Sequence, residues 1–355
     1  MQWNRICVEA LKNLVRKMPV LNPRESGEFI VQNASSIIVH NEGIEVLAKE
    51  IFISIKSGKL RSENFSQNNE GLHPDSKDPK AIEWIFLLDT LNFCFWTPGK
   101  TDTKWKIDGH TGYFGLCAAI TRAMRNGLDI TNSEVYSKMT EDEIQAILKS
   151  DDGVTKCPLI KERFECLQQV GKKLISKYDG KFENCVKSSS NSAVKLLELI
   201  VTEFPCFADE AEFKGKRVSL YKRAQILIGD LWACFQGKDL GFFEDIDKIT
   251  MFPDYRVPQV LVHFKSLEYS DELMKVLKND TILENGEPME VEIRGASIYI
   301  VEQVKKQIYE LLEKDNLPRS KVNSILIDHF LWDYRREHAK ELEYIPFHKT
   351  FSVYY

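Results

Sequence analysis

The stretch ITMFPDYRVPQVLVHF, residues 249–264, sets Phe252, Asp254, Tyr255 and Arg256 in one short connection between apolar runs. Pro253 and Pro258 fix φ on either side, and neither can donate a backbone hydrogen bond. Pro258 suits the first turn of a helix. An acid held stiffly at a helix mouth has two readings. In the first it only caps the helix. In the second it faces a sugar. Positive charge develops on the sugar as a glycosidic bond breaks, and a fixed carboxylate stabilises that charge or attacks the sugar carbon. On these residues alone both readings stand.

Three further groups carry chemistry-bearing side chains. In WIFLLDTLNFCFW, residues 84–96, Asp89 interrupts a nearly continuous apolar run. A buried carboxylate is costly unless paired or hydrogen-bonded. Asp89 therefore either bonds a neighbouring helix end or faces a ligand. In KGKRVSLYKRAQILIGDLWACF, residues 214–235, Lys222 and Arg223 fall within a helical pattern, Lys214, Lys216 and Arg217 come just before it, and Asp230 lies deeper in it. Cations at a helix start oppose the helix dipole, so they form either a solvated face or a site for an anion such as phosphate. In SILIDHFLWDYRREH, residues 324–338, Asp328 and Asp333 lie five apart. That is about 140° around a helix, so only one of them can centre on a given face. A second acid can donate a proton to a leaving group or orient water.

Helices must position these residues. Asn22, Pro23 and Glu25 form a capping signal, Asp78-Pro79 a cap-plus-proline signal, and Thr140 to Glu143 a capping box. Residues 158–178, 190–204, 218–236, 258–267, 294–314 and 320–336 carry apolar residues at helical spacing. Strands are expected only at 103–115, as a hairpin around Asp108-Gly109, and at MEVEIRG, residues 289–295. The fold class is mainly α with a minor β element. No linker composition divides the chain, so the organisation expected is an N-terminal extension over 1–20 and a single domain over 21–355.

The bulk numbers bound the function. The chain has 355 residues, 43% hydrophobic and 28% charged, with a net charge of −5. A protein that grips a long duplex usually carries a basic footprint, so no stable nucleic-acid partner is expected. A small phosphorylated ligand needs only one or two cations. None of the eight cysteines falls in a C-x-x-C pair. This pattern implies a reducing, cytoplasmic setting and no zinc or other metal site. The first residues, MQWNRICVEALKNLVRKMPV, read as a docked N-terminal helix, with an organelle-targeting helix as the alternative. No run is apolar enough for a membrane span.

The blocks WIFLLDTLNFCFW, GLCAAITRA, KRVSLYKRAQIL, ITMFPDYRVPQVL, EIRGASI, NSILIDHFLWDY and PFHKTFSVYY, in this order, resemble the queuosine salvage protein family. The resemblance runs over nearly the whole chain. It implies a helical fold similar to the helix-hairpin-helix DNA glycosylases. It implies hydrolysis of queuosine 5′-monophosphate to queuine and ribose 5-phosphate, with no cofactor. It also implies roles: Asp254 as nucleophile or oxocarbenium stabiliser, Phe252 and Tyr255 as substrate contacts, Asp328 and Asp333 as base-binding acids, and His73 in GLHPDSKDP as a further substrate contact. Charge placement adds Lys222, Arg223 and Arg294 as phosphate candidates, and Asp89 and Asp230 as pocket acids. Two alternatives stand beside the hydrolase: a glycosylase acting on polymer, and a carrier that binds queuosine or transfer RNA without cleaving it.

Overall fold

The structure is a computed structural model and describes residues 19–60, 71–99 and 104–355. The expected N-terminal helix and much of the polar stretch 62–80 lie outside these residues. In chain order the first elements are α1 (Pro23–Asn33), β1 (Ile37–Val39), α2 (Asn41–Lys56) and α3 (Ala81–Leu91). Then come β2 (Lys106–Ile107), β3 (His110–Thr111), α4 (Gly112–Arg125), α5 (Ser133–Tyr136), α6 (Glu141–Ile147), α7 (Ile160–Lys177), α8 (Phe182–Ser188) and α9 (Ala193–Glu203). The remainder is β4 (Glu210–Phe213), β5 (Lys216–Ser219), α10 (Lys222–Cys234), α11 (Val257–His263), β6 (Leu267–Tyr269), α12 (Asp271–Lys278), α13 (Pro288–Lys314) and α14 (Ser324–Glu337). The protein is mainly helical, with small antiparallel strand pairs β1–β6, β2–β3 and β4–β5. No helix among the described residues is long and apolar enough to cross a membrane.

Local chemistry sets the helix starts. Asn22 Oδ1 accepts the Glu25 N–H at 3.0 Å, and Glu25 accepts the Asn22 N–H at 3.1 Å. Thr140 and Glu143 exchange the same pair of bonds ahead of α6. Asp108 and Gly109 both adopt positive φ, 48° and 82°, in the turn between β2 and β3. Asp151 accepts both of their N–H groups, at 2.9 and 3.0 Å. This is the hairpin that the Asp-Gly pair predicts.

Two expectations are corrected. MEVEIRG is the first turns of α13, not a strand. Its acids look like the outward positions of an alternating strand, yet Glu290 and Glu292 are both buried. Glu290 pairs with Arg294 at 2.9 Å, and Glu292 accepts the N–H groups of Ser35 and Ser36 at 3.1 and 2.6 Å. A helix buried on every side loses its amphipathic period, and the alternation that remains is accidental. Residues 218–219 end strand β5 (Lys216–Ser219) instead of opening the helix expected over 218–236. Lys214 and Gly215, at φ 47° and 77°, make the turn from β4.

The contacts divide the chain into two compact units. The first contains the described residues up to Leu60, Asp209–Tyr221 and Thr250–Thr350. Its core is built around α13, against which α1, α2, α11 and α14 pack. The second contains the described part of Arg61–Ala208, Lys222–Ile249 and Phe351–Tyr355. Its centre is α3, where every residue but Glu83 is buried, enclosed by α4, α7, α8 and α10.

Candidate active site

The loop around Asp254 belongs to the first unit and is held from several directions. Asp328, buried in α14, accepts the Phe252 N–H at 3.0 Å. Arg294, buried in α13, donates from Nε to the Pro253 carbonyl at 2.9 Å. Asp254 Oδ1 accepts the N–H groups of Arg256 and Val257 at 2.8 and 2.7 Å. It therefore caps the start of α11, since Pro258 leaves these as the helix's first free donors. Among the described residues Oδ2 takes no hydrogen bond. The half-buried carboxylate is thus fixed through one oxygen and presents the other.

Aromatic rings and cations surround this carboxylate. The Arg256 guanidinium lies 3.7 Å from the Phe347 ring centre and 5.5 Å from that of Tyr255. Tyr255 packs against Phe347 with ring centres 5.6 Å apart. Burial lowers the pKa of Arg256, and burial with the neighbouring Arg256 charge lowers that of Arg335; Asp254 opposes the shift in both. His329, beside Asp328 in sequence, has its ring 6.4 Å from Phe252. Burial pushes its pKa down to about 4, so the imidazole is neutral at pH 7.

Asp328 and Asp333 part company, as their spacing requires. Asp328 binds the loop through the Phe252 N–H. Asp333 sits on another side of α14, with Arg336, Glu337 and Lys59 as its charged neighbours, and burial raises its pKa. Arg294 does not present a spare guanidinium to phosphate. Its Nη1 donates to Asp209 and Glu290 at 3.0 and 2.9 Å, its Nη2 donates to Asp209 at 2.5 Å, and its Nε holds Pro253. Its observed work is to anchor the loop.

The other candidates belong to the second unit. Asp89 is fully buried in α3. Asn92 donates to Oδ1 at 3.2 Å, and Oδ2 has no partner. Burial pushes its pKa up to about 7, against the pull of Asn92, Arg223 and Lys222. Arg223 donates from Nη1 to the Asp89 and Thr90 carbonyls at 3.0 and 2.8 Å, and from Nη2 to the Cys206 carbonyl. Arg163 donates to the carbonyls of Leu91, Phe93 and Cys94. The two guanidiniums enclose the Phe93 ring, at 4.4 and 4.8 Å from its centre. A cation at the start of α10 is therefore answered by the negative end of α3. For Arg223 this replaces the anion that charge placement alone suggests. Lys222 is buried and acts on Asp89 electrostatically.

His73 Nε2 and the Tyr113 hydroxyl are 2.9 Å apart. Tyr113 is also hydrogen-bonded to Cys117, and Asp89 and Asp230 both act on the phenol by charge. Burial drives the Tyr113 pKa well up. His73 and Trp84 line a cleft of about 350 Å3 whose wall also carries Lys80 and Arg125. Sequence reasoning missed Tyr113, His329 and Arg163. The first two carry no local signal, and three of the four carbonyls that Arg163 binds lie roughly seventy positions away in the chain. Among the described residues no group of His, Cys, Asp and Glu is arranged to hold a metal ion.

A family model described as "Queuosine salvage protein" matches residues 72–355. Relatives with the name "Queuosine 5'-phosphate N-glycosylase/hydrolase" align over most of the chain. The Mus musculus protein is 44% identical over 95% of this chain and 99% of its own length. The Schizosaccharomyces pombe protein is 37% identical over 88% and 91%. The Sphaerobacter thermophilus protein is 33% identical over 81% and 85%.

Proposed function

The chain belongs to the queuosine salvage protein family, and from that premise we propose that it hydrolyses the N-glycosidic bond of queuosine 5′-phosphate. The products are queuine and ribose 5-phosphate, the base then being free for reinsertion into transfer RNA. The observation that carries the reading is the Asp254 carboxylate, held by two backbone N–H groups through Oδ1 and unengaged at Oδ2.

Queuine is a 7-deazapurine, so it lacks the N7 whose protonation activates ordinary purines for departure. The enzyme must then lean on the sugar side of the bond. As the C1′–N bond breaks, its electron pair leaves with the base and positive charge grows on C1′ and the ring oxygen. Asp254 Oδ2 stabilises that charge or bonds to C1′. Water then adds at C1′, and its proton balances the one taken up by the departing base. The double cap on Oδ1 restricts the carboxylate's rotation, so little reorganisation accompanies the charge development. Asp328 and Arg294 act on this step as positioning residues, through Phe252 and Pro253.

Phe252 and Tyr255 are proposed to contact the substrate, and Asp333 to accept a hydrogen bond from the base or its cationic aminomethyl group. His73 as a substrate contact rests on the resemblance, and Lys222 as a phosphate contact on its charge. Kinship with the helix-hairpin-helix glycosylases is likewise proposed from the resemblance. A cytoplasmic setting is supported by the seven described cysteines, all free thiols.

The test is purified protein with queuosine 5′-monophosphate, following queuine by mass-resolved chromatography, with Asp254→Asn alongside. Release by the wild type and a loss of at least ~10²-fold in the variant are expected. A folded wild type that binds the nucleotide without releasing base would establish the carrier instead.

A further inference from the structure

Cys166 lies in α7 and is nearly buried, while Cys206 is half-buried in the 3-10 turn Pro205–Phe207. Forty positions apart in sequence, the two cysteines meet in one small apolar cluster. The geometry is fixed from both sides. Gln169, three residues beyond Cys166 on the same helix, accepts the Cys206 N–H at 3.0 Å. Arg223 donates to the Cys206 carbonyl. Both cysteines pack into one small cluster with Phe93 and Cys94. Two permanently charged guanidiniums, Arg223 and Arg163, act on Cys166.

These surroundings separate Cys166 from the other described thiols. Burial raises the pKa of Cys94, Cys117, Cys157, Cys185 and Cys234, as it does for an inert core cysteine. Cys166 moves the other way. The neighbouring Cys206 thiol holds it below the ordinary value, with help from Arg223 and Arg163. The same contact raises Cys206, so the pair loses its first proton from Cys166 and keeps the second on Cys206. A thiolate beside a thiol is the arrangement from which a disulfide closes.

We propose that Cys166 and Cys206 are an oxidative modification site, which hydrogen peroxide converts to a reversible intramolecular disulfide. The Cys166 thiolate attacks one peroxide oxygen and the O–O bond breaks. Cys166 becomes a sulfenic acid, and the departing hydroxide takes a proton to give water. The Cys206 sulfur then attacks the Cys166 sulfur, the S–O bond breaks, and the hydroxyl leaves as a second water with the Cys206 proton. Two thiols and one peroxide thus give one disulfide and two waters, and a dithiol reductant reverses the change. Closure sets the two sulfurs at ~2.05 Å and links the 205–207 turn to α7.

The experiment treats the full-length reduced protein with stoichiometric hydrogen peroxide, alkylates the remaining thiols, and maps peptides by mass spectrometry. A loss of two hydrogens is expected, located in a cross-link between the Cys166 and Cys206 peptides and removed by dithiothreitol. Protein unfolded in urea serves as the reference and should lose that preference. In Cys206→Ser, dimedone should label Cys166 as a trapped sulfenic acid. The wild-type map needs no variant to fold. If both cysteines remain alkylated after treatment, or if other cysteines oxidise first, the proposal is overturned. So it is if the unfolded chain gives the same cross-link with the same preference. The readout is a mass, so its failure is distinct from a failure to release queuine.

Discussion

One oxygen of Asp254 accepts the N–H groups of Arg256 and Val257, so an amide at this position can keep the cap while removing the charge. Asparagine and aspartate cap helices about equally well, whereas alanine costs about 0.5–2 kcal/mol. Asp254→Asn should therefore melt close to the wild type, and Asp254→Ala measurably lower. Both should lose base release to a similar degree. Equal activity in wild type and Asp254→Asn would leave the residue a cap and nothing more. Asp89 offers a second test on a single side chain. Its folded pKa of about 7 lies above the ordinary carboxyl value. A raised pKa means that the neutral form is favoured in the fold. Its stabilising contribution is complete below about pH 4 and is lost as pH rises through about 7. Asn mimics the neutral acid at every pH. The stability of Asp89→Asn minus that of the wild type should thus climb between pH 4 and 7, by at most on the order of 4 kcal/mol. Chemical denaturation at pH 5 and pH 8 measures it, and a flat difference would show that Asp89 titrates normally. The two acids also differ in how they were legible. Asp254 announced itself because two prolines and a helix start surround it. The buried state of Asp89 followed from its apolar neighbours, but its unpartnered Oδ2 depends on where Asn92 and Arg223 end up.

At the scale of elements, α13 is the member that the sequence misrepresented and also the one on which the first unit depends. Gly295 lies on its face toward α1. A Cβ there would stand 2.5 Å from Ile30 Cδ1 and 2.8 Å from Ile30 Cβ. On α1, a Cβ at Gly27 would meet the Gly295 carbonyl at 3.1 Å. Two small residues facing each other let the helix backbones approach closely. That explains why the EIRGASI block spends a glycine in mid-helix, where it costs roughly 1 kcal/mol against alanine. Gly295→Ala separates the two effects by sign. Propensity alone would stabilise by about 1 kcal/mol, whereas overpacking a tight contact costs about 1–3 kcal/mol. A net fall of up to about 2 kcal/mol in urea unfolding is expected, since Ile30 Cβ cannot swing away. A gain would mean that α1 shifts without penalty. The packing that decides this was not legible from the sequence, because Gly27 and Gly295 are linked only through the fold. Helix existence was legible in α7 and α14, where one face stays polar, and also in α3, where the Asp78-Pro79 signal precedes a helix buried at every residue but Glu83. The amphipathic helices α2 and α12 were missed.

At the scale of the molecule, the order of segments carries the argument. Each unit is assembled from stretches that the other interrupts, with changes of unit at 60/61, 208/209, 221/222, 249/250 and 350/351. The first adjoins the polar stretch 62–80, which runs straight into an apolar helix, and the others have no linker composition, so the sequence reads as one domain. Folding of either unit therefore depends on parts of the chain that are far apart. In the first unit β1 pairs with β6, and the Leu21 N–H bonds the Arg217 carbonyl at 3.0 Å. In the second, Arg223 caps the end of α3, and the Trp96 and Phe351 rings meet at 5.6 Å. A fragment of residues 19–208 would keep α1 to α9 but lose all of these partners. It would also leave the α3 carbonyls that Arg223 satisfies without their donor, at about 1–3 kcal/mol for each that stays buried. The fragment should show weak helical circular dichroism and no cooperative thermal transition, while the intact chain melts cooperatively. A sharp transition with native-like helix content would show that α3 to α9 fold without the returning segments. The helices after Ala208 would then be additions to an autonomous core and not part of what makes it fold.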